Sequence, residues 1–138
     1  MSLLEHQNES SVISPSKKII YDFGANNGSD IPYYLKKANL VVAVEANPSL
    51  CETMRERFST ELLDGRLQVE NCVVVGEGRA SEVNFYLHKR HDVLGQFLPP
   101  DDSVMDSYTK ILLPSQPVMQ VLRKYGSPYY VKIDIEHI

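Results

Sequence analysis

The segment from Ile19 to Asp30 constrains the fold of this chain most strongly. It reads Ile-Ile-Tyr-Asp-Phe-Gly-Ala-Asn-Asn-Gly-Ser-Asp. A short apolar run bounded by glycine is typical of a strand that is covered on both faces of a parallel sheet. Ser29 or Asp30 can cap a following helix, and Pro32 would then fall in its first turn. The segment therefore predicts a buried strand, a glycine-bounded loop and a helix, an arrangement that forms ligand sites at the carboxyl end of a strand.

The remainder of the chain continues to alternate strand and helix patterns. After Asn47-Pro48, a helix signal, apolar residues recur at four-residue spacing until Asp64-Gly65. Further strands are predicted at 40–44, 67–75, 83–87 and 129–134, and the strand at 83–87 is amphipathic, as in a hairpin or an antiparallel addition. A short helix is predicted at 118–125. The residues from His91 to Pro117 are predicted to form a long loop. Alternating strands and helices favour an α/β fold with a Rossmann-like, doubly wound, mostly parallel sheet. We expect residues 1–16 to form a flexible N-terminal arm and residues 17–138 to form one domain, with a sheet that is incomplete on its C-terminal side.

Composition argues against several classes of partner. The formal net charge is −4 and basic residues never occur in runs longer than two, so nothing in the sequence favours nucleic acid or an anionic membrane. Two cysteines, Cys51 and Cys72, are too few for a disulfide framework. No apolar stretch reaches the length of about 18 residues that a membrane span needs, and the N-terminus lacks a signal core. We therefore expect a cytoplasmic protein.

Three acidic residues lie at or near the ends of predicted strands: Asp22, Glu45 and Asp134. In an open parallel sheet this edge is where ligands bind. An acid after the second strand can accept hydrogen bonds from both hydroxyls of a ribose, which is the role predicted for Glu45. The alternative for Glu45 is a solvated or capping acid at a helix N-terminus.

The loop after the first strand helps to identify the ligand. Dinucleotide sites use Gly-x-Gly-x-x-Gly so that the backbone can approach a pyrophosphate, whereas here Gly24 and Gly28 are separated by Ala25, Asn26 and Asn27. Asn26 replaces the middle glycine, and its side chain would crowd a diphosphate. S-adenosylmethionine carries an ammonium and a carboxylate instead, which backbone carbonyls near Gly24, the Asp22 carboxylate and asparagine amides could satisfy. This pattern favours S-adenosylmethionine over a nicotinamide cofactor.

Three blocks of the sequence resemble the FkbM-type branch of class I methyltransferases: residues 22–28, 44–48 and 131–136. The resemblance implies a Rossmann-like methyltransferase sheet, S-adenosylmethionine as methyl donor, and O-methylation of a hydroxyl on a sugar or natural product. It also implies contacts to the cofactor. The methionine part would be held by Gly24, Ala25, Asn26, Asn27 and Gly28, the ribose by Glu45, and the adenosine by Ala46, Asn71 and Cys72. The family usually has glycine where His137 stands, and its sheet contains further strands.

Asp134 is the candidate catalytic residue, because a carboxylate at the end of the last strand could orient or deprotonate an acceptor hydroxyl. A structural or cofactor-side role is its alternative. The residues around His88 and His91, and the acids at 101, 102 and 106, are expected to be solvated rather than metal ligands. Two further hypotheses remain open: a non-catalytic Rossmann-like binding or assembly module, and a nicotinamide-dependent enzyme. An incomplete sheet would expose a strand edge through which chains could pair.

Overall fold

The computed structural model of the protein describes residues 17–78 and 81–135. Expectations about residues 1–16, Glu136 and His137 lie outside these ranges. The strands are β1 (Ile19–Phe23), β2 (Leu40–Val44), β3 (Leu67–Glu70), β4 (Val73–Val75), β5 (Glu82–His88), β6 (Gly95–Gln96), β7 (Tyr108–Pro117) and β8 (Tyr130–Ile133). The helices are α1 (Ile31–Leu35), α2 (Pro48–Arg57), α3 (Ser59–Leu63) and α4 (Val118–Tyr125).

Four strands form an all-parallel sheet in the order β3-β2-β1-β8. Successive residues of β1 point to opposite faces, and both faces are covered. Ile20 packs with residues of α1 and α2 such as Ile31 and Met54 on one face, whereas Tyr21 packs with Val121 of α4 on the other. Helices therefore cover both faces of a parallel sheet, and the expected α/β architecture is confirmed at that level.

A second, mixed sheet has the strand order β4-β7-β5-β6. In it β4 runs parallel to β7, while β5 pairs antiparallel with both β7 and β6. The amphipathic strand expected at 83–87 is therefore present as β5, in an antiparallel hairpin.

The single strand predicted over residues 67–75 is wrong. The chain turns between β3 and β4, which belong to different sheets. The Asn71 side chain lies at this turn and donates hydrogen bonds to the carbonyls of Glu45 at 3.0 Å and Ala46 at 2.8 Å. These bonds satisfy backbone acceptors that no strand pairing reaches, and they redirect the chain into the second sheet.

The long loop predicted over residues 91–117 is also wrong in its second half. Residues 108–117 form β7, which pairs with β5 along one edge and with β4 along the other. This strand contains Pro114 and Pro117, which cannot donate to a ladder and so weaken the sequence signal for a strand.

The helix signals are confirmed with two adjustments. The helix after Asn47 is capped by that side chain, which accepts from the N–H of Ser49, but it breaks at Phe58 into α2 and α3. Asp30 occupies the N-cap position of α1 without a side-chain capping bond. Its carboxylate instead accepts a hydrogen bond from the Lys132 ammonium at 2.6 Å.

Candidate functional site

A cleft of about 510 Å³ opens at the carboxyl ends of β1, β2 and β8. Eight of the residues predicted from the sequence line it: Gly24, Ala25, Asn26, Asn27, Glu45, Ala46, Cys72 and Asp134. Three others do not, namely Asp22, Gly28 and Asn71. The sheet edge therefore brings together residues that are separated by up to about a hundred positions in the chain, as expected for an open parallel sheet.

Gly24 allows the loop and the end of β8 to approach closely. Its φ of +87° lies in the left-handed region, and a Cβ atom there would lie 2.0 Å from the carbonyl oxygen of Asp134. The Gly24 N–H donates to the carbonyl of Val44 at 2.8 Å, and the Asp134 N–H donates to the carbonyl of Phe23 at 2.8 Å. These two hydrogen bonds, together with the missing Cβ atom at Gly24, hold the ends of β1, β2 and β8 together at the floor of the cleft.

The Glu45 carboxylate connects the loop to the start of α2. One oxygen accepts from the N–H of Asn26 at 2.9 Å, and the other accepts from the N–H of Asn47 at 2.7 Å. Burial raises the pKa of Glu45, while the N–H groups of Asn47, Asn26 and Ala46 oppose that rise. Asn26 itself has a φ of +57°, in the left-handed region, at the point where the loop meets this carboxylate.

The two roles considered for Glu45, ribose binding and capping of a helix N-terminus, are compatible in this geometry. The hydrogen bond from the Asn47 N–H is the contact expected of an acid at a helix N-terminus, since Asn47 is the N-cap of α2. Each carboxylate oxygen accepts one of these hydrogen bonds and has further lone-pair capacity, and the residue borders the cleft. A fixed carboxylate at this position can therefore also receive a diol.

Gly28 and Asn71 lie beside the cleft rather than in its lining. Gly28 faces the core, where a Cβ atom would come within 2.9 Å of both Met54 and Phe58. Asn71 instead supports the backbone of Glu45 and Ala46 from behind. Both residues position the cleft walls, a role that the sequence pattern does not distinguish from ligand contact.

Asp22 is the most unusual residue of the site. Its side chain is only 1% exposed, and neither of its oxygens has a hydrogen-bond partner within the described residues. Burial raises the pKa of Asp22 to about 6, and the nearby Lys132 ammonium partly opposes that rise. Asp22 lies opposite Lys132 in the β1–β8 register.

Carboxylates outnumber cations around Asp22. Asp30, Asp134 and Glu45 each raise its pKa through their negative charge, and Lys132 is the cation that lowers it. Asp30 and Lys132 line the cleft and form an ion pair. The polar end of the cleft therefore has an excess of negative charge and favours a ligand that carries positive charge.

The other end of the cleft is apolar and was not predicted. It includes Phe85 and Phe97, whose ring centroids lie 5.1 Å apart in an edge-to-face arrangement, together with Val93 and Gly95. Asn47 donates from its side chain to the carbonyl of Asp92 at 3.1 Å and so holds this segment against α2. The alternation of apolar and polar residues around Phe85 predicts a strand with this side chain on its apolar face. Residues 92–97 have no such periodicity, so the sequence does not predict that they line the cleft.

Within the ranges that the structure covers, no group of three or more His, Cys, Asp or Glu side chains is arranged to hold a metal ion. The same ranges contain no helix that is long and apolar enough to cross a bilayer. Comparison of the sequence with protein-family models and with curated proteins finds no match. The assignment of a function therefore depends on the site itself.

Proposed function

We propose that this chain binds S-adenosylmethionine and belongs to an FkbM-type class I methyltransferase that methylates a hydroxyl group on a sugar or natural product. The observation that carries the proposal is the Glu45 carboxylate, which borders the cleft at the end of β2 and is held by N–H groups from both neighbouring segments. A preorganised carboxylate at this position suits a ribose diol, because its two oxygens match the two hydroxyl donors.

The two ends of the cleft support the same ligand. The acidic end, with Asp30, Glu45 and Asp134 in its lining and Asp22 behind them, suits the ammonium and sulfonium charges of S-adenosylmethionine. The apolar end, with Phe85 and Phe97, suits a planar purine, since aromatic rings pack favourably in edge or offset arrangements. Ala46 and Cys72, for which the family resemblance implies contacts to the adenosine, also line the cleft.

The same charges disfavour a nicotinamide dinucleotide. Its pyrophosphate would bring negative charge toward Asp30, Glu45 and Asp134, and Lys132 is already paired with Asp30. The loop also presents Asn26 where a dinucleotide site has its second glycine.

Asp134 is proposed to orient the acceptor hydroxyl. It is exposed and lies in the cleft lining beside Lys132. Methyl transfer from a sulfonium is an in-line displacement, so alignment of donor and acceptor contributes much of the rate.

The Glu45 assignment is tested by titrating S-adenosylhomocysteine, which needs no acceptor, into the wild type, Glu45→Ala and Glu45→Gln. We expect Glu45→Ala to weaken binding roughly 10- to 100-fold, since hydrogen bonds to a charged group contribute about 1.5–3 kcal/mol. Glu45→Gln retains one acceptor oxygen and should give an intermediate loss.

Glu52→Ala is the matched control, because Glu52 is an exposed acid on α2 outside the cleft lining. It should bind as tightly as the wild type. Thermal unfolding of each variant checks that the fold persists. Unchanged affinity in folded Glu45→Ala would remove the ribose role from this residue.

A further inference from the structure

Asn47 is a buried residue, and each of its four hydrogen-bonding groups has a partner. Its exposed fraction is 2%. Its N–H donates to the Glu45 carboxylate at 2.7 Å, and its carbonyl accepts from the N–H of Cys51 at 3.1 Å. Its side-chain oxygen accepts from the N–H of Ser49 at 3.0 Å, and its side-chain nitrogen donates to the carbonyl of Asp92 at 3.1 Å. Asn47 therefore connects Glu45 and the start of α2 to a segment that lies 45 positions later in the chain.

We call residues 92–97 the apolar wall, because Val93 and Phe97 line the apolar end of the cleft from this segment. Pairing of β6 with β5 gives the wall its shape within one hairpin. Val93 and Leu94 are 52% and 53% exposed, so burial of these two side chains does little to fix the wall against the rest of the molecule. The hydrogen bond from the Asn47 side chain joins the wall to the start of α2.

Helix capping alone does not explain the presence of asparagine at this position. Serine and aspartate cap helices about as well as asparagine does. An aspartate side chain has no donor for the Asp92 carbonyl, and serine has one polar atom where asparagine has two. The hydrogen bond to Asp92 is therefore the contact for which asparagine is needed.

Asn47 contacts both sides of the cleft, since its N–H holds Glu45 and its side chain holds the apolar wall. We propose that Asn47 is a positioning residue, which sets the spacing between Glu45 and Phe97 so that one ligand can reach both. It acts through these two residues, because its own polar groups are already bonded. This inference rests on the proposed function, in which the ribose binds Glu45 and the purine packs against Phe97.

Amide hydrogen exchange in the ligand-free protein tests the attachment of the wall. Asn47→Ser keeps a capping oxygen and the backbone N–H to Glu45 but lacks the donor to Asp92. The N–H of His88 donates to the carbonyl of Leu94 at 3.0 Å, and the N–H of Leu94 donates within the same hairpin. We expect these two amides to exchange about five times faster in Asn47→Ser, the equivalent of one typical hydrogen bond, and the amides of α2 to keep their rates.

A double-mutant cycle with S-adenosylhomocysteine tests whether Asn47 acts through the wall. Asn47→Ser should weaken binding roughly 5- to 10-fold in the wild type but less than about two-fold in Phe97→Ala, where the wall has lost its aromatic contact. A purely structural role would give the same loss in both backgrounds. Asn47→Asp, which keeps the shape and the cap, should behave as Asn47→Ser does.

Gln96→Ala is the matched control, because the Gln96 side chain belongs to the same hairpin but donates to the carbonyl of Leu98 outside the cleft lining. It should bind as tightly as the wild type, and thermal unfolding checks that every variant is folded. A wild type that does not bind S-adenosylhomocysteine would contradict the proposed function, and the exchange rates alone would then decide the role of Asn47. Unchanged exchange at Leu94 in both Asn47 variants, or equal losses of affinity in the two backgrounds, would overturn the proposal.

Discussion

Replacing Gly24 by alanine is expected to lower the free energy of unfolding by about 3 kcal/mol or more. The added Cβ would lie 2.0 Å from the backbone oxygen of Asp134, a contact that a side-chain rotation cannot relieve. The φ of +87° adds left-handed strain. Because the same contact positions the loop against the end of β8, ligand binding should fall together with stability.

Gly65→Ala is the matched control for Gly24→Ala. Gly65 has a φ of +80°, close to that of Gly24, but a Cβ atom there would meet nothing within 4 Å. Gly65→Ala should therefore lower the free energy of unfolding only by the backbone strain, about 1–2 kcal/mol. Urea unfolding followed by circular dichroism measures both variants, and the excess loss for Gly24→Ala is due to the approach of β8. Equal losses of stability in the two variants would show that the close approach of β8 to Gly24 does not require a glycine at this position.

Replacing Asp22 by asparagine is expected to raise stability at pH 7 by about 2–3 kcal/mol. The pKa of Asp22 in the folded protein is raised to about 6 from an ordinary value of 3.8, mainly by burial. A raised carboxyl pKa stabilises the folded state below the unfolded value, and that contribution is lost as the pH rises through about 6. The wild type should therefore lose stability between pH 4 and pH 7 (about the two pKa values), and Asp22→Asn should lose much less.

Denaturant titrations at several pH values measure this difference between the wild type and Asp22→Asn. Asp101→Asn, in an exposed loop, is the control and should change stability by less than about 0.5 kcal/mol at any pH. If Asp22→Asn destabilised the protein at pH 7, the buried carboxylate would have a partner that offsets its burial.

An unpaired buried charge is a feature that proteins retain for function rather than for stability. Under the proposed function, the positive charge of S-adenosylmethionine would offset part of the cost of ionising Asp22. Asp22→Asn should then be more stable than the wild type but bind the ligand less tightly, and binding to the wild type should weaken as the pH falls below about 6.

The sequence predicted the elements whose signals are local. β1 and β2 are short apolar runs, and the helix that starts at Asn47-Pro48 shows both its cap and its four-residue spacing. Glu45 was placed at the cleft because acids at the carboxyl ends of parallel strands meet at one edge.

The features that the sequence did not predict depend on contacts between distant segments of the chain. β7 has no clear period and contains prolines, and it is defined by pairing with β4 some forty residues earlier, as in Val73 opposite Ser115. The apolar end of the cleft depends on how the segment around Phe97 folds back onto Phe85. A glycine pattern also does not reveal which neighbour requires the glycine: Gly28, which is predicted to contact the ligand, lies against the side chains of Met54 and Phe58.

Calorimetric titration of the wild type with S-adenosylmethionine, S-adenosylhomocysteine and NAD tests the proposed ligand most directly. We expect saturable binding of the first two at one site per chain, and NAD binding at least roughly ten-fold weaker, because the acidic end of the cleft repels a pyrophosphate. Absence of S-adenosylmethionine binding at about millimolar ligand, or tighter binding of NAD, would contradict it.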